Sequence, residues 1–281
     1  MLLRCGSRVL DLSRPCVMGV LNITPDSFSD GGELLDGARP RIDRVLRRAQ
    51  KMLAGGAAIL DVGGESTRPG AAHVGEQEEI DRVAPVVEAL AARFDMVVSV
   101  DTSTPRLMRE AAALGAGMIN DVRALGRRGA LEAVVASEVA LCLMHMQGEP
   151  GTMQAEPRYV DVCAEVRDFL LDRAAACERA GIASERLVID PGFGFGKTLA
   201  HNLALLADLP VLAGCGYPVL VGMSRKSMVG AITGRTVRGR LAGGLALATL
   251  AAHAGARIVR SHDVAATCDA LKVVAAVNEG A

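Results

Sequence analysis

The feature that most constrains the fold is a unit that recurs eight times: a short apolar run, a polar residue at its end, a loop, a helical segment and a glycine-containing stop. The runs are 17–21, 58–60, 96–100, 117–119, 140–144, 187–189, 219–222 and 257–259. Between them lie segments with helical spacing, such as Ile80, Val83, Val87 and Leu90, or Val162, Val166, Phe169 and Leu170, each one apolar stripe on an otherwise charged helix. Gly55-Gly56, Gly115, Gly181 and Gly255 each sit just before a run, where a left-handed residue ends a helix. Strand and helix alternating in this way predict a closed parallel barrel, with an open doubly wound sheet as the competitor. Residues 2–12 read as a hairpin around Gly6-Ser7, since glycine at the first turn position suits a type II′ loop. The expectation is an α/β protein: a single (β/α)8 TIM barrel domain over 1–281, with 1–16 as an N-terminal β-hairpin that plugs or flanks the barrel and 17–281 as the barrel.

A chain of 281 residues suits that fold, which commonly occupies roughly 250 residues. The 31 basic and 32 acidic residues leave a net charge of -1, which gives no global field for nucleic acid or anionic lipid and points to a small-molecule partner. Seven cysteines show no Cys-x-x-Cys pairing and fall mostly in apolar runs, as expected of buried free thiols in a reducing compartment, hence the cytoplasm. Arg4, Arg8, Asp11 and Arg14 interrupt any signal-type apolar core, and the longest stretches free of charge are rich in Gly, Pro and Ala, so neither secretion nor membrane insertion is indicated.

Function in such a barrel sits on the loops after the strands' C-terminal ends. Those ends carry Asn22, Asp61, Asp101, Asn120 with Asp121, His145, Asp190, Met223 and Arg260. Any one Asp or Asn there is an ordinary cap or turn residue, the reading kept for Asp61 and Asp121; so many at once point to a site. The stretch 187–197 is the most informative. Pro191 stops the strand and leaves Asp190 at its lip, while glycines at 192, 194 and 196 alternate with Phe193 and Phe195 and hold two rings where a flat ligand would fit. Gly-Phe-Gly-Lys-Thr at 194–198 ends like a phosphate-binding loop, but Pro191 stands where its leading glycine belongs. No His-Glu-x-x-His or Gly-x-Ser-x-Gly motif occurs, and five scattered histidines argue against a zinc site.

From residue 22 the chain reads Asn-Ile-Thr-Pro-Asp-Ser-Phe-Ser-Asp-Gly-Gly, and from 61 Asp-Val-Gly-Gly-Glu-Ser-Thr-Arg-Pro-Gly. Both closely resemble the long signature loops of the dihydropteroate synthases. Val100-Asp101-Thr102, Ile119-Asn120-Asp121, the Met144 to Gly148 stretch, the Asp190 to Lys197 stretch, Met223 to Ser227 and Arg260 to Val264 resemble that family's other motifs, in order and along the whole chain. Ser261 stands where the family commonly has an apolar residue, in a variable slot.

The resemblance implies condensation of 6-hydroxymethyl-7,8-dihydropterin pyrophosphate with 4-aminobenzoate, giving 7,8-dihydropteroate and pyrophosphate on the route to folate. It implies Asp101, Asp190 and Lys226 as catalytic residues, and a pterin pocket of Asp101, Asn120, Met144, Asp190, Phe195, Gly222 and Lys226. Pyrophosphate falls to Asn22, Thr67, Arg68, Arg260 and His262, with Asn22 also touching Mg2+. The site for 4-aminobenzoate is Phe28, Thr67, Pro69, Phe195, Lys226 and Ser227, in a helix start capped by Ser224, where sulfonamides would mimic the carboxylate. Loops 23–32 and 63–75 are expected to close over the site, and a homodimer is implied. Two rivals share part of the pattern. A corrinoid-linked pterin methyltransferase would not need Arg260, His262 and the Asn22 loop, and a pterin-binding paralogue without turnover would not need intact lids and Lys226.

Overall fold

Each of the eight apolar runs forms a parallel strand, and the strands close on themselves. The computed structural model describes residues 1–25, 34–37, 39–66, 74–149 and 151–280. Within them β1 (Leu2–Cys5) and β2 (Arg8–Asp11) pair as an antiparallel hairpin. The barrel strands are β3 (Cys16–Asn22), β6 (Ala57–Gly63), β7 (Val97–Asp101), β8 (Met118–Asp121), β9 (Ala140–Met144), β10 (Leu187–Asp190), β11 (Leu220–Val221) and β12 (Ile258–Ser261); β4 (Leu35–Asp36) and β5 (Arg39–Pro40) form a small side ladder. The spatial order is β10-β9-β8-β7-β6-β3-β12-β11. A parallel bridge from Ile189 to Val219, with Ile189 N–H donating to the Pro218 carbonyl at 3.0 Å, joins the two ends. The closed barrel therefore prevails over the open sheet.

Most strands reach past their apolar runs to take in the polar residue at the lip, Asn22, Asp101, Asp121, Asp190 or Ser261. Pairing is made by the backbone, so a polar side chain at the end of a parallel strand does not stop it. The expected strand at 219–222 is shorter than its run, only Leu220–Val221.

The hairpin is a plug rather than a flank. Leu3, Cys5 and Leu12 are buried in one cluster with Met18, Ile59, Val97, Met118, Ala140, Cys142, Val188, Leu220 and Ile258, at least one residue from each barrel strand, so the hairpin seals the N-terminal mouth. Gly6 takes φ +64° at its turn, as a type II′ loop requires, and its N–H reaches the Glu138 carbonyl at 2.8 Å. Helices coat the outside. Ile80, Val83, Val87 and Leu90 of helix Glu76–Arg93 are all buried, each contributing about 1.5–3 kcal/mol by leaving water. Among the described residues no helix is long and apolar enough to cross a membrane.

Candidate active site

The strands' C-terminal lips open into one cavity of about 540 Å³. Asn22, Asp101, Asn120, Met144, Asp190, Gly222 and Arg260 line it from seven strands or the turns just after them, Phe195, Lys226 and His262 join them from the loops, and Ser227 from the start of a helix. Phe28, Thr67, Arg68 and Pro69 lie outside the described residues. Asp61, Asp121, His145 and Met223 stand back from the cavity.

On one side of the cavity a guanidinium is held between two carboxylates. Arg260 donates through Nε to Asp61 at 2.6 Å and through Nη2 to Asp101 at 3.0 Å. Asp61 is wholly buried, and it also accepts from the Ser99 hydroxyl at 2.6 Å and the Asn120 amide at 3.2 Å. The turn or cap role expected for Asp61 is thus overturned. It lies inside β6, with Val62 and Gly63 still paired beyond it, and its side chain orients two cavity residues at once. Asp121 does keep the turn role, accepting N–H groups of Arg123 at 2.9 Å and Leu125 at 2.8 Å. Burial pushes the Asp101 carboxyl up, the Arg260 guanidinium offsets part of that, and the Asp61 carboxylate adds to it.

Across the cavity, the loop after β10 wraps Asp190. The Gly192 N–H donates to Asp190 Oδ1 at 2.7 Å, and glycines 192, 194 and 196 all take positive φ. Gly192 is required twice over, because a Cβ there would meet the His145 carbonyl oxygen at 1.9 Å. Only one of the two expected rings faces the cavity. Phe195 lines the cavity, whereas Phe193 is wholly buried in the hydrophobic core and presents only its carbonyl, which accepts from Lys226 Nζ. The Lys226 ammonium also lies 4.6 Å from the Phe195 ring centroid, and burial lowers its pKa to about 8, against the pull of Asp190.

The segment after β11 departs from expectation. Ser224 caps no helix; the helix is Ser227–Thr233, with Lys226 at its N-cap. Arg225 takes φ +60° between them and breaks the run, and the Ser224 hydroxyl instead sits 3.2 Å from both the N–H and Nδ1 of His262. Arg225 is held by a two-pronged ion pair with Asp263, at 3.1 and 2.6 Å. Arg240 secures the same turn by donating to the carbonyls of Arg225 at 2.9 Å and Lys226 at 3.2 Å.

A family model described as pterin binding enzyme matches residues 18–262. A dihydropteroate synthase of Escherichia coli strain K12 is 55% identical over 267 residues, 95% of this chain and 93% of the relative. The chain is a member of the dihydropteroate synthase family. A Yersinia pestis dihydropteroate synthase crystallised with a sulfonamide drug complex superposes with a TM-score of 0.95 at 52% identity, over 99% of this chain and 100% of that one. A Xanthomonas albilineans dihydropteroate synthase with 4-aminobenzoic acid gives 0.90 at 51% identity, over 99% and 98%.

Beyond the residues the family motifs suggest, this dihydropteroate synthase family member brings Met153, Gln154, Arg225 and Arg240 to the cavity. Met153 and Gln154 carry no sequence signal, for they lie in a loop between β9 and the helix Val162–Arg179 that no periodicity marks. The positions of Arg225 and Arg240 had one, because arginines cluster after β11, but nothing in their spacing says that Arg225 pairs with Asp263 or that Arg240 reaches the carbonyls of Arg225 and Lys226.

Proposed function

We propose that the chain condenses 6-hydroxymethyl-7,8-dihydropterin pyrophosphate with 4-aminobenzoate, forming 7,8-dihydropteroate and pyrophosphate. The observation that carries this reading is the convergence of Asp101, Asn120, Asp190 and Lys226 with Arg260 and His262 on one cavity, in a member of this family. The methylene C–O bond to pyrophosphate breaks, pyrophosphate takes the electron pair, and the amine nitrogen forms the new C–N bond and loses a proton. Asp190 accepts the ring N–H and amino donors of the pterin, Asn120 meets its other edge, and Lys226 faces its acceptors. Met144, Phe195 and Gly222 bound the flat ring. Asp101 stabilises positive charge developing at the methylene. For 4-aminobenzoate we assign Ser227 to the carboxylate and Phe195 and Lys226 to the ring, with Phe28, Thr67 and Pro69 completing that site. Pyrophosphate release must require both substrates; release without dihydropteroate, or binding of the pterin without release, would sink this reading in favour of a paralogue that lacks turnover.

Arg260, His262, Asn22, Thr67 and Arg68 are assigned to the leaving pyrophosphate. Among the described residues no three His, Cys, Asp or Glu side chains gather to hold a metal ion. Asn22 offers a single neutral oxygen, which fits Mg2+ held mainly by pyrophosphate oxygens and water. That ion would neutralise charge on the leaving group. We further assign the protein to the cytoplasm as a homodimer, with 17–281 as one barrel domain.

His262→Ala and Arg260→Ala are expected to weaken the pyrophosphorylated pterin by about tenfold or more, far more than they weaken the plain hydroxymethyl pterin, because a charge-assisted hydrogen bond contributes about 1.5–3 kcal/mol. Titration calorimetry with both ligands checks this, and equal losses would remove these residues from the pyrophosphate site.

The pH profile offers a separate check. Burial lowers Lys226 to about 8 and Lys197 to about 7, and with its proton each lysine loses the positive charge and the third N–H with which it holds the carbonyls of the loop after β10. Because kcat/KM reports ionisations of the free enzyme, it is expected to fall with rising pH from about 7 to above 8. A profile flat to pH ~9.5 counts against a protonated lysine in the pocket.

A further inference from the structure

The lysine of the near-miss phosphate loop does not line the cavity. Lys197 is only 3% exposed, and its Nζ lies beneath the 191–196 loop, 3.1 Å from the Gly192 carbonyl, 3.0 Å from that of Phe195, 3.3 Å from that of His145 and 3.0 Å from His145 Nδ1. Burial, and then Lys197 itself, hold the His145 pKa down at about 3, so the imidazole is neutral and its Nδ1 can accept. Four acceptors gathered around one nitrogen need all three N–H groups of an ammonium.

These contacts tie directly to the pocket. Gly192, whose carbonyl Lys197 holds, donates its N–H to Asp190 at 2.7 Å. Phe195, whose carbonyl Lys197 also holds, is a wall of the cavity, and between them the Phe193 carbonyl accepts from Lys226. The outer rim of the loop has its own tethers: Tyr159 donates to the Gly196 carbonyl at 2.9 Å, and Asn202 accepts from the Gly194 N–H at 2.7 Å. Losing the ammonium would therefore free the Phe195 carbonyl and leave that of Gly192 with the Phe195 N–H alone, while the loop stays attached.

We propose that Lys197 is a positioning residue for the pterin pocket, its ammonium gathering the inner carbonyls of the 191–196 loop so that Phe195 stands as a cavity wall and Gly192 orients Asp190. The proposal rests on the pterin reading above, and it adds a residue that touches no substrate. Lys197→Met keeps the length and removes every donor, leaving the Phe195 and His145 carbonyls and an imidazole nitrogen unserved and the Gly192 carbonyl with only the Phe195 N–H, at 3.1 Å.

The test is a double-mutant cycle of Lys197→Met with Phe195→Ala, reading the Kd of the pyrophosphorylated pterin by calorimetry and the thermal midpoint of each variant. Lys197→Met should weaken binding about tenfold, and the double variant should be little weaker than the worse single one, because both changes remove the same wall. Losses that multiply, or a Lys197→Met variant that binds like wild type, overturn the proposal. If Lys197→Met does not fold, Lys197→Gln, which keeps two N–H donors, takes its place in the same cycle under the same two criteria. Wild-type protein that fails to bind the pterin overturns the functional reading instead, so the two failures are told apart.

Discussion

Asp190→Asn is expected to weaken binding of the pyrophosphorylated pterin about a hundredfold, on the order of 3 kcal/mol, in a protein that still folds. The reason lies in what the carboxylate already does. One oxygen accepts the Gly192 N–H at 2.7 Å inside the barrel lip, and that bond shapes the loop. An amide in the same place has one acceptor, and the loop claims it. Its NH2 group must then face the cavity, where the pterin presents its own N–H and amino donors, so donor meets donor and a charge-assisted contact is lost. Lys226, which the Asp190 carboxylate pulls toward its charged form, loses that support as well. Calorimetry on the Asp190→Asn variant, at an unchanged thermal midpoint, is the decisive measurement; near wild-type affinity there would remove Asp190 from pterin recognition.

The barrel was legible because its signal is periodic and repeated. Eight apolar runs, each followed by a helical stripe, leave few topologies, and left-handed glycines such as Gly115 and Gly181, at φ +99° and +94°, mark where each helix yields to the next strand. The lip residues were legible for a related reason: a polar side chain just past a buried strand is out of place unless something at that face uses it. What escaped depends on the direction in which a side chain points. Asp61 reads like any aspartate before a pair of glycines, yet β6 continues past it, and the carboxylate falls inside the barrel against Arg260. His145 reads like one more lip residue, but its ring turns down to Lys197 and packs edge-on to Phe169, with ring centroids 5.0 Å apart. Ser224 has the composition of a cap, and the left-handed Arg225 that displaces the helix start by two residues leaves no trace in sequence, because arginine is a rare occupant of that conformation.

Asp61→Ala should be the most damaging single change to the cavity's frame. Asp61 receives Ser99, Asn120 and Arg260, and its alanine would leave all three donors facing a void, with the Arg260 charge partnered only by Asp101. Three buried donors left without an acceptor, the guanidinium among them, cost about 3–5 kcal/mol together, since each stays desolvated. For a chain of this size that loss lowers the thermal midpoint by roughly 10 °C. Asp61→Asn is the informative companion. Its carbonyl can still accept from Arg260 and Asn120, and its NH2 can donate to the Ser99 hydroxyl, which turns to accept, so each hydrogen-bonding group stays served and only the charge goes. The Asp61→Asn variant should therefore recover most of the lost midpoint while Arg260 leans wholly on Asp101, tying up the carboxylate assigned to the methylene. Differential scanning calorimetry ranks the three proteins: an alanine variant within about 2 °C of wild type would mean that Arg260 is held without Asp61. Equal damage from alanine and asparagine would instead locate the effect in the charge rather than in the three hydrogen bonds.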